Sequence, residues 1–285
     1  MDKNFYQRLC TGIVFIAVLV SCITLSQWSF AALFLLLIIL GLLEFYKLIK
    51  ETGAMPQTFL GVLLGASLFL FVFVFFAKNR TSFPSVNIEK YLFSILYFIP
   101  FLLFFIELFR KKELPFLNIA YTILGWLYIA LPFALWNIIL FKMSDSKSEI
   151  MYNFHPLLAF FIIMWTTDTM AYLCGKFFGK HKLVERISPK KTWEGFVGGA
   201  LFALLSGFII SIFYHDLNTM HWIILAGIIA ITGTLGDLVE SMFKRSIGVK
   251  DSGKIFPGHG GILDRFDSFL LSTPFVVVYY WIFAF

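Results

Sequence analysis

Residues 29–48 read SFAALFLLLIILGLLEFYKL, a run in which Glu44 and Lys47 are the only charged side chains. A helix needs about 20 apolar residues to cross roughly 30 Å of hydrocarbon, so this run predicts a membrane-spanning helix. Eight more runs of the same kind follow from the hydropathy pattern, at 10–27, 58–77, 91–109, 118–141, 156–175, 194–214, 221–240 and 268–285. Over all 285 residues, 59% are hydrophobic and 14% charged, against roughly 25% charged in soluble domains. Mean hydropathy is +0.85. The fold class expected is an all-α integral membrane protein of about nine transmembrane helices.

The loop charges set the orientation. With the N-terminus and every second loop placed in the cytosol, that side takes eighteen of the 23 Lys and Arg and the other side five, as the positive-inside rule requires. The N-terminus is therefore cytosolic, and the two most polar loops, near 176–193 and 241–267, share that side. The same bias accounts for the net charge of +6 and pI of about 9.1. No nucleic-acid module is present, so no nucleic-acid partner is expected. Lys3 and Arg8 precede an apolar stretch without an A-x-A-like cleavage site, which predicts an uncleaved first span. Cys10, Cys22 and Cys174 lie in apolar runs without metal-ligand spacing and read as small hydrophobes. Residues 1–150 are expected to be scaffold and lipid-facing helices, and 151–285 the region that carries chemistry at the cytosolic face.

That chemistry is densest in GDLVESMFKRSIGVKDSGKIFPGHGGILDRFDS, residues 236–268. Positions three apart share a helix face, so Asp237 pairs with Glu240 and Asp264 with Asp267. The first pair closes one span and the second opens the next. Oxygen ligands without a His or Cys cluster suit Mg²⁺, which takes one or two carboxylates and fills its shell with water and phosphate. Lys244, Arg245, Lys250, Lys254 and Arg265 can pair with phosphate oxygens. The Gly-rich stretch through His259, Gly260 and Gly261 lets backbone N–H groups approach a ligand and leads into a helix N-terminus, where anions are favoured. A solvated loop of ordinary ion pairs is the plainer reading, and this concentration of Gly, His, Asp and Arg argues against it.

The pattern Ser241, Lys244-Arg245, Lys250-Asp251, Gly253, Phe256-Pro257, His259-Gly260-Gly261, Asp264-Arg265 and Asp267 resembles the signature of phosphatidate cytidylyltransferases, also called CDP-diacylglycerol synthases. The resemblance is strong over roughly the last third of the chain. A second block, WTTDTMAYLCGKFFGKHKLVERISPKKTWEG at 165–195, is also similar to that family. In it Ser188 before Pro189 predicts an N-cap with proline in the first turn, placing Lys190 and Lys191 at a helix N-terminus as a phosphate clamp. Asp168 lies inside a span, where an acid costs up to about 2.5–3.5 kcal/mol and marks a cavity, a partner or a site. Gly195, Gly198 and Gly199 have the small-xxx-small spacing of close helix packing. Glu44 and Glu107 are expected to reach water or to pair with Lys47 and Arg110.

The resemblance implies attack by a phosphate oxygen of phosphatidic acid on the α-phosphorus of CTP, with pyrophosphate leaving. On this reading Asp237 and Asp264 hold the Mg²⁺, and one ion or two stays open. Asp267 and Asp251 are ligands or support them. Lys190, Lys191, Lys244, Arg245, Lys250 and Arg265 hold phosphates, Gly260 and Gly261 and Asp168 line the substrate, and His259 positions or shuttles a proton. A homodimer follows from the same resemblance, and the compact chain without a soluble extension is expected in a bacterial cytoplasmic membrane. Two alternatives are open: a CTP-dependent polyprenol or dolichol kinase, which releases CDP instead of pyrophosphate, and a multi-pass transporter. Polar residues gathered at one face argue against transport, which favours breaks and charges near the midplane.

Overall fold

The computed structural model describes residues 3–78, 88–143, 150–253, 255 and 260–284. The helices are α1 (Lys3–Leu25), α2 (Gln27–Lys50), α3 (Thr58–Lys78), α4 (Ile88–Phe109), α5 (Pro115–Gly125), α6 (Leu131–Leu140), α7 (His155–Phe178), α8 (Trp193–Phe213), α9 (Thr219–Ser246) and α10 (Leu263–Ala284). Among the described residues, eight helical stretches are long and apolar enough to cross a membrane. The apolar part of the first helix, Cys10–Leu25, is shorter. The all-α membrane fold stands, with two short hairpins as its β structure among the described residues.

Helix α5, a π-helical turn at Trp126–Ala130 and α6 form one continuous stretch, Pro115–Leu140. The wide turn precedes Pro132, which has no N–H to give to the preceding turn. The Leu131 N–H bonds instead to the carbonyl of Trp126. Helix α9 runs six residues beyond the expected end at 240, and α10 begins five before 268. Hydropathy windows stop where charge begins, but a Glu four residues before a Lys supports a helix. Glu240 and Lys244 are such a pair, at 2.5 Å.

Two compact units divide the chain. One takes Met1–Tyr152 and Asp251–Arg265, the other Asn153–Lys250 and Phe266–Phe285. In the first, Phe30, Phe34, Phe69 and Phe133 are fully buried, with Phe34 edge-on to Phe133 at 5.2 Å. Tyr46 gives its hydroxyl proton to the Thr122 carbonyl at 2.7 Å. A Cβ on Gly125 would meet its ring at 2.7 Å, and one on Gly61 would overlap it. The hairpin β1 (Phe141–Met143) and β2 (Ile150–Tyr152) pairs Phe141 with Tyr152.

In the second unit α8 packs on α7 and α9 through glycine. A Cβ at Gly199 would stand 2.8 Å from the Thr167 carbonyl, and one at Gly207 2.7 Å from that of Trp222. Gly195 and Gly198 likewise abut Ala171 and Cys174, so the expected packing role of these glycines holds. Phe161 stacks parallel on Phe269 at 5.6 Å and Phe160 meets the same ring edge-on at 5.5 Å, joining α7 to α10.

Candidate functional site

The predicted N-cap at Ser188 is not formed. Ser188–Thr192 is a strand, β4, paired antiparallel with β3 (Lys182–Val184) across a bulge. The cap of α8 is Thr192, whose hydroxyl accepts the Gly195 N–H at 3.2 Å. Glu194 closes the base of the hairpin by accepting from the His181 and Lys180 amides and bonding His181 Nδ1 at 2.6 Å. Successive strand residues point to opposite faces, so the lysines separate. Lys190 is exposed. Lys191 is half-buried, its Nζ 2.7 Å from Asp237 Oδ2.

Lys191 thereby joins a cluster on α7, α9 and α10 of the second unit. The α9–α10 approach is set by Gly236: a Cβ there would lie 2.7 Å from the Asp267 carbonyl oxygen and 3.1 Å from Ser268 Cα. This contact brings Asp237, the next residue, beside Asp267. The electrostatic neighbours of the Asp267 carboxylate are Asp237, Glu240 and then Asp168. Ser268 N–H bonds Asp267 Oδ1 at 2.6 Å, and the Ser241 hydroxyl donates to Asp237 Oδ1 at 3.2 Å. Glu240, 1% exposed, is held by Lys244.

Like charges gathered this closely repel, and Lys191 and Lys244 each offset one of them. Among the described residues, no three His, Cys, Asp or Glu side chains converge as a metal-ligand set. Mg²⁺ takes one or two carboxylates and completes its shell with water and phosphate. Asp237 and Asp267, both half-buried and electrostatic neighbours, are carboxylates of the kind that demand allows, each accepting a hydrogen bond from a neighbouring group.

The stretch Asp251–Arg265 is organised in the first unit, around a residue that sequence reasoning misplaced. Glu44 does not reach Lys47 or water. It is 6% exposed and accepts the Ile262 and Leu263 N–H groups, each at 3.0 Å, and meets the Ser252 hydroxyl at 2.5 Å. It thus satisfies orphan donors at the start of α10. The signal was present in the sequence, an acid inside an apolar span. Glu107 does pair with Arg110, at 2.7 Å, and is also held by Gln57 and Asn118.

Asp264 is held in the same turn. Its Oδ2 accepts the Ser252 N–H at 2.9 Å and the Gly261 N–H at 2.8 Å, and lies 2.8 Å from the Ser252 hydroxyl. Gly260 adopts φ +85° and a Cβ on it would overlap this carboxylate. Arg265, Lys250 and Asp251 are exposed. Arg245 is exposed and donates to the Val249 carbonyl at 3.2 Å. Asp168 is exposed on α7. His259 and Lys254 lie outside the described residues.

The family model described as the cytidylyltransferase family matches residues 6–283. A phosphatidate cytidylyltransferase of Staphylococcus aureus (strain COL) is 46% identical over 166 residues, which is 58% of this chain and 60% of that protein. One of Staphylococcus saprophyticus is 43% identical and one of Staphylococcus haemolyticus 42%, each over 176 residues, 61% of this chain and 64% of theirs. The matched stretch thus spans less than two thirds of these relatives' length. The family model takes in residues 6–283, nearly the whole chain, and the chain belongs to the cytidylyltransferase family.

Proposed function

We propose that the chain transfers the cytidylyl group of CTP to phosphatidic acid, forming CDP-diacylglycerol and pyrophosphate in phospholipid biosynthesis. The observation that carries this reading is the lysine–carboxylate cluster of the second unit, with Lys191 on Asp237 and Lys244 on Glu240 beside Asp267. Family membership, and the relatives' name, point the same way.

In this reaction an oxygen of the phosphatidate phosphate forms a bond to the α-phosphorus of CTP, and the α–β anhydride bond breaks with its electron pair leaving on pyrophosphate. The nucleophile is already ionised near pH 7, so the protein's task is to bring two anions together and to stabilise the leaving group. Asp237 and Asp267 are the residues to hold Mg²⁺, which supplies positive charge to the phosphates when bound. Lys191 and Lys244 are oriented by their carboxylate partners, so their ammonium groups are fixed before substrate arrives. Lys190, Arg245 and Lys250 are exposed cations of the same unit and take the outer phosphates. Asp264, Gly260 and Gly261 keep the 251–265 turn in shape.

The proposal includes a cytoplasmic membrane location with the site facing the cytosol, supported by the charge asymmetry of the loops, and a homodimer, supported by resemblance alone. The test is incubation of detergent-purified protein with labelled CTP, phosphatidic acid and Mg²⁺, beside Asp237→Asn. Lipid-linked CDP and pyrophosphate are expected from the unmodified chain and not from the variant. Release of CDP with a phosphorylated lipid alcohol assigns a kinase instead, and equal turnover by the variant removes Asp237 from the chemistry.

A further inference from the structure

A pocket of about 730 Å³ lies within the first unit, where the end of α2, the turn into α3 and the end of α4 meet. Its walls are apolar, with Phe59, Leu60 and Ile106 among them, and Lys50, Arg110 and Lys112 line it as well. We infer that this pocket binds one anionic phospholipid, its phosphate on Lys50 and Lys112 and its acyl chains on the apolar wall.

Three observations carry the assignment. The cations are not equivalent. Arg110 is neutralised by Glu107 at 2.7 Å and donates to the Met55 carbonyl at 3.0 Å, so it shapes the pocket and leaves the two lysines for an anion. Lys112 is presented by a turn that holds two non-glycine residues, Lys111 and Leu114, at φ 47° and 56°, a strained conformation that persists only where its surroundings impose it.

The second observation is a polar group without a partner. Gln57 is 7% exposed and its Nε2 donates to Glu107 at 2.7 Å and to the Leu103 carbonyl at 2.9 Å. That geometry fixes Oε1, which has no hydrogen-bond partner among the described residues, and the neighbouring Thr58 hydroxyl has none either. Both residues line the pocket. Buried polar atoms of this kind call for a missing partner, and these two sit in the pocket wall with their oxygens closed to solvent. The third is location. The pocket joins the ends of three helices that are long and apolar enough to span a membrane, the depth at which lysine stems lie along hydrocarbon and their heads meet lipid phosphate. A bare phosphate ion leaves the apolar wall, including Phe59 at 78% exposure, unfilled; a phospholipid covers both.

The test is native mass spectrometry of the full chain in a neutral detergent, titrated with phosphatidylglycerol or with phosphatidylcholine of the same acyl chains. Preferential retention of phosphatidylglycerol is expected, and Lys50→Gln/Lys112→Gln weakens it roughly tenfold, as two lysines at a membrane surface allow. Lys182→Gln, an exposed lysine on β3, leaves it unchanged. Melting temperatures check that each variant is folded, with Lys112→Gln alone in reserve. Equal retention of the two lipids, or a double variant that keeps its preference, overturns the inference. So does displacement by millimolar inorganic phosphate, which shows an anion site without lipid. The readout needs neither CTP nor turnover, so it stands or falls apart from the proposed reaction.

Discussion

Gly236→Ala tests whether the contact between α9 and α10 is what assembles the carboxylate cluster. The new Cβ would sit 2.7 Å from the Asp267 carbonyl oxygen, 3.1 Å from Leu271 Cβ and 3.1 Å from Ser268 Cα. Two of these are backbone atoms, which no side-chain rotation relieves. Non-bonded atoms settle at roughly 3.5–4.0 Å, so the two helices must part locally by about 1 Å. Overpacking of this kind costs about 1–3 kcal/mol of stability. A misplacement of about 1 Å among reacting groups costs up to about 100-fold in rate. The assay is pyrophosphate release at saturating CTP and phosphatidic acid, read beside the melting temperature. The expected result is a large fall in kcat with a modest fall in Tm. Gly233→Ala is the matched control one turn earlier. Its Cβ would meet Ser272 Oγ at 3.4 Å and Ser268 Cβ at 3.6 Å, ordinary contacts, so both quantities stay near those of the unmodified protein. If Gly236→Ala turns over normally, or both variants lose activity alike, the α9–α10 spacing is not what positions the acids.

Further outcomes follow from individual contacts. Lys191→Met removes the ammonium beside Asp237 and is expected to lower kcat/KM by one to two orders of magnitude, about 1.4–2.7 kcal/mol, while Lys191→Arg restores part of it; steady-state kinetics with varied CTP decides. Glu44→Ala leaves the buried Ile262 and Leu263 N–H groups without their acceptor, at about 1–3 kcal/mol each, seen as a lowered Tm and faster hydrogen exchange of those two amides. Thr192→Ala removes the cap of α8 and is expected to cost about 1 kcal/mol, measured as a shift in Tm. Unchanged exchange in the first case, or an unchanged Tm in the second, refutes the bond concerned.

The spans were legible because hydrocarbon imposes one simple demand, about 20 apolar residues in a row, and runs such as 29–48 meet it without ambiguity. Helix ends were less so. At 241–246 and 263–267 the helix continues on polar residues, and hydropathy has nothing to say there. The i,i+4 pair Glu240–Lys244 was the better guide. The hairpin at 182–192 was invisible for a related reason. Strands of three and five residues rich in Lys carry no alternation of apolar side chains, and Ser188-Pro189 imitates a cap. The structure puts the cap four residues later, and the strand then splits Lys190 from Lys191, so spacing alone could not show which lysine meets an acid.

Glu44 shows most clearly how a residue outside the signature-like stretch fixes the shape of that stretch within the first unit. A carboxylate placed in an apolar span is stable only when enough donors surround it. Lys47, on the next turn of the same helix, offers one flexible ammonium. The start of α10 offers fixed N–H groups that have no helical acceptor of their own, and Glu44 takes two of them together with Ser252. The glycines of the signature-like stretch then acquire a reason. A Cβ on Gly253 would stand 2.5 Å from Glu44 Oε2, and one on Gly261 would overlap both of its oxygens. From sequence, Gly261 reads as room for a ligand. In the folded protein, at Gly253 and Gly261, the room is already taken by a side chain more than two hundred residues away in the chain. Gly261→Ala should therefore destabilise the apo protein, a loss that added CTP cannot hide, whereas a glycine kept only for ligand approach would leave apo stability intact and weaken CTP binding alone.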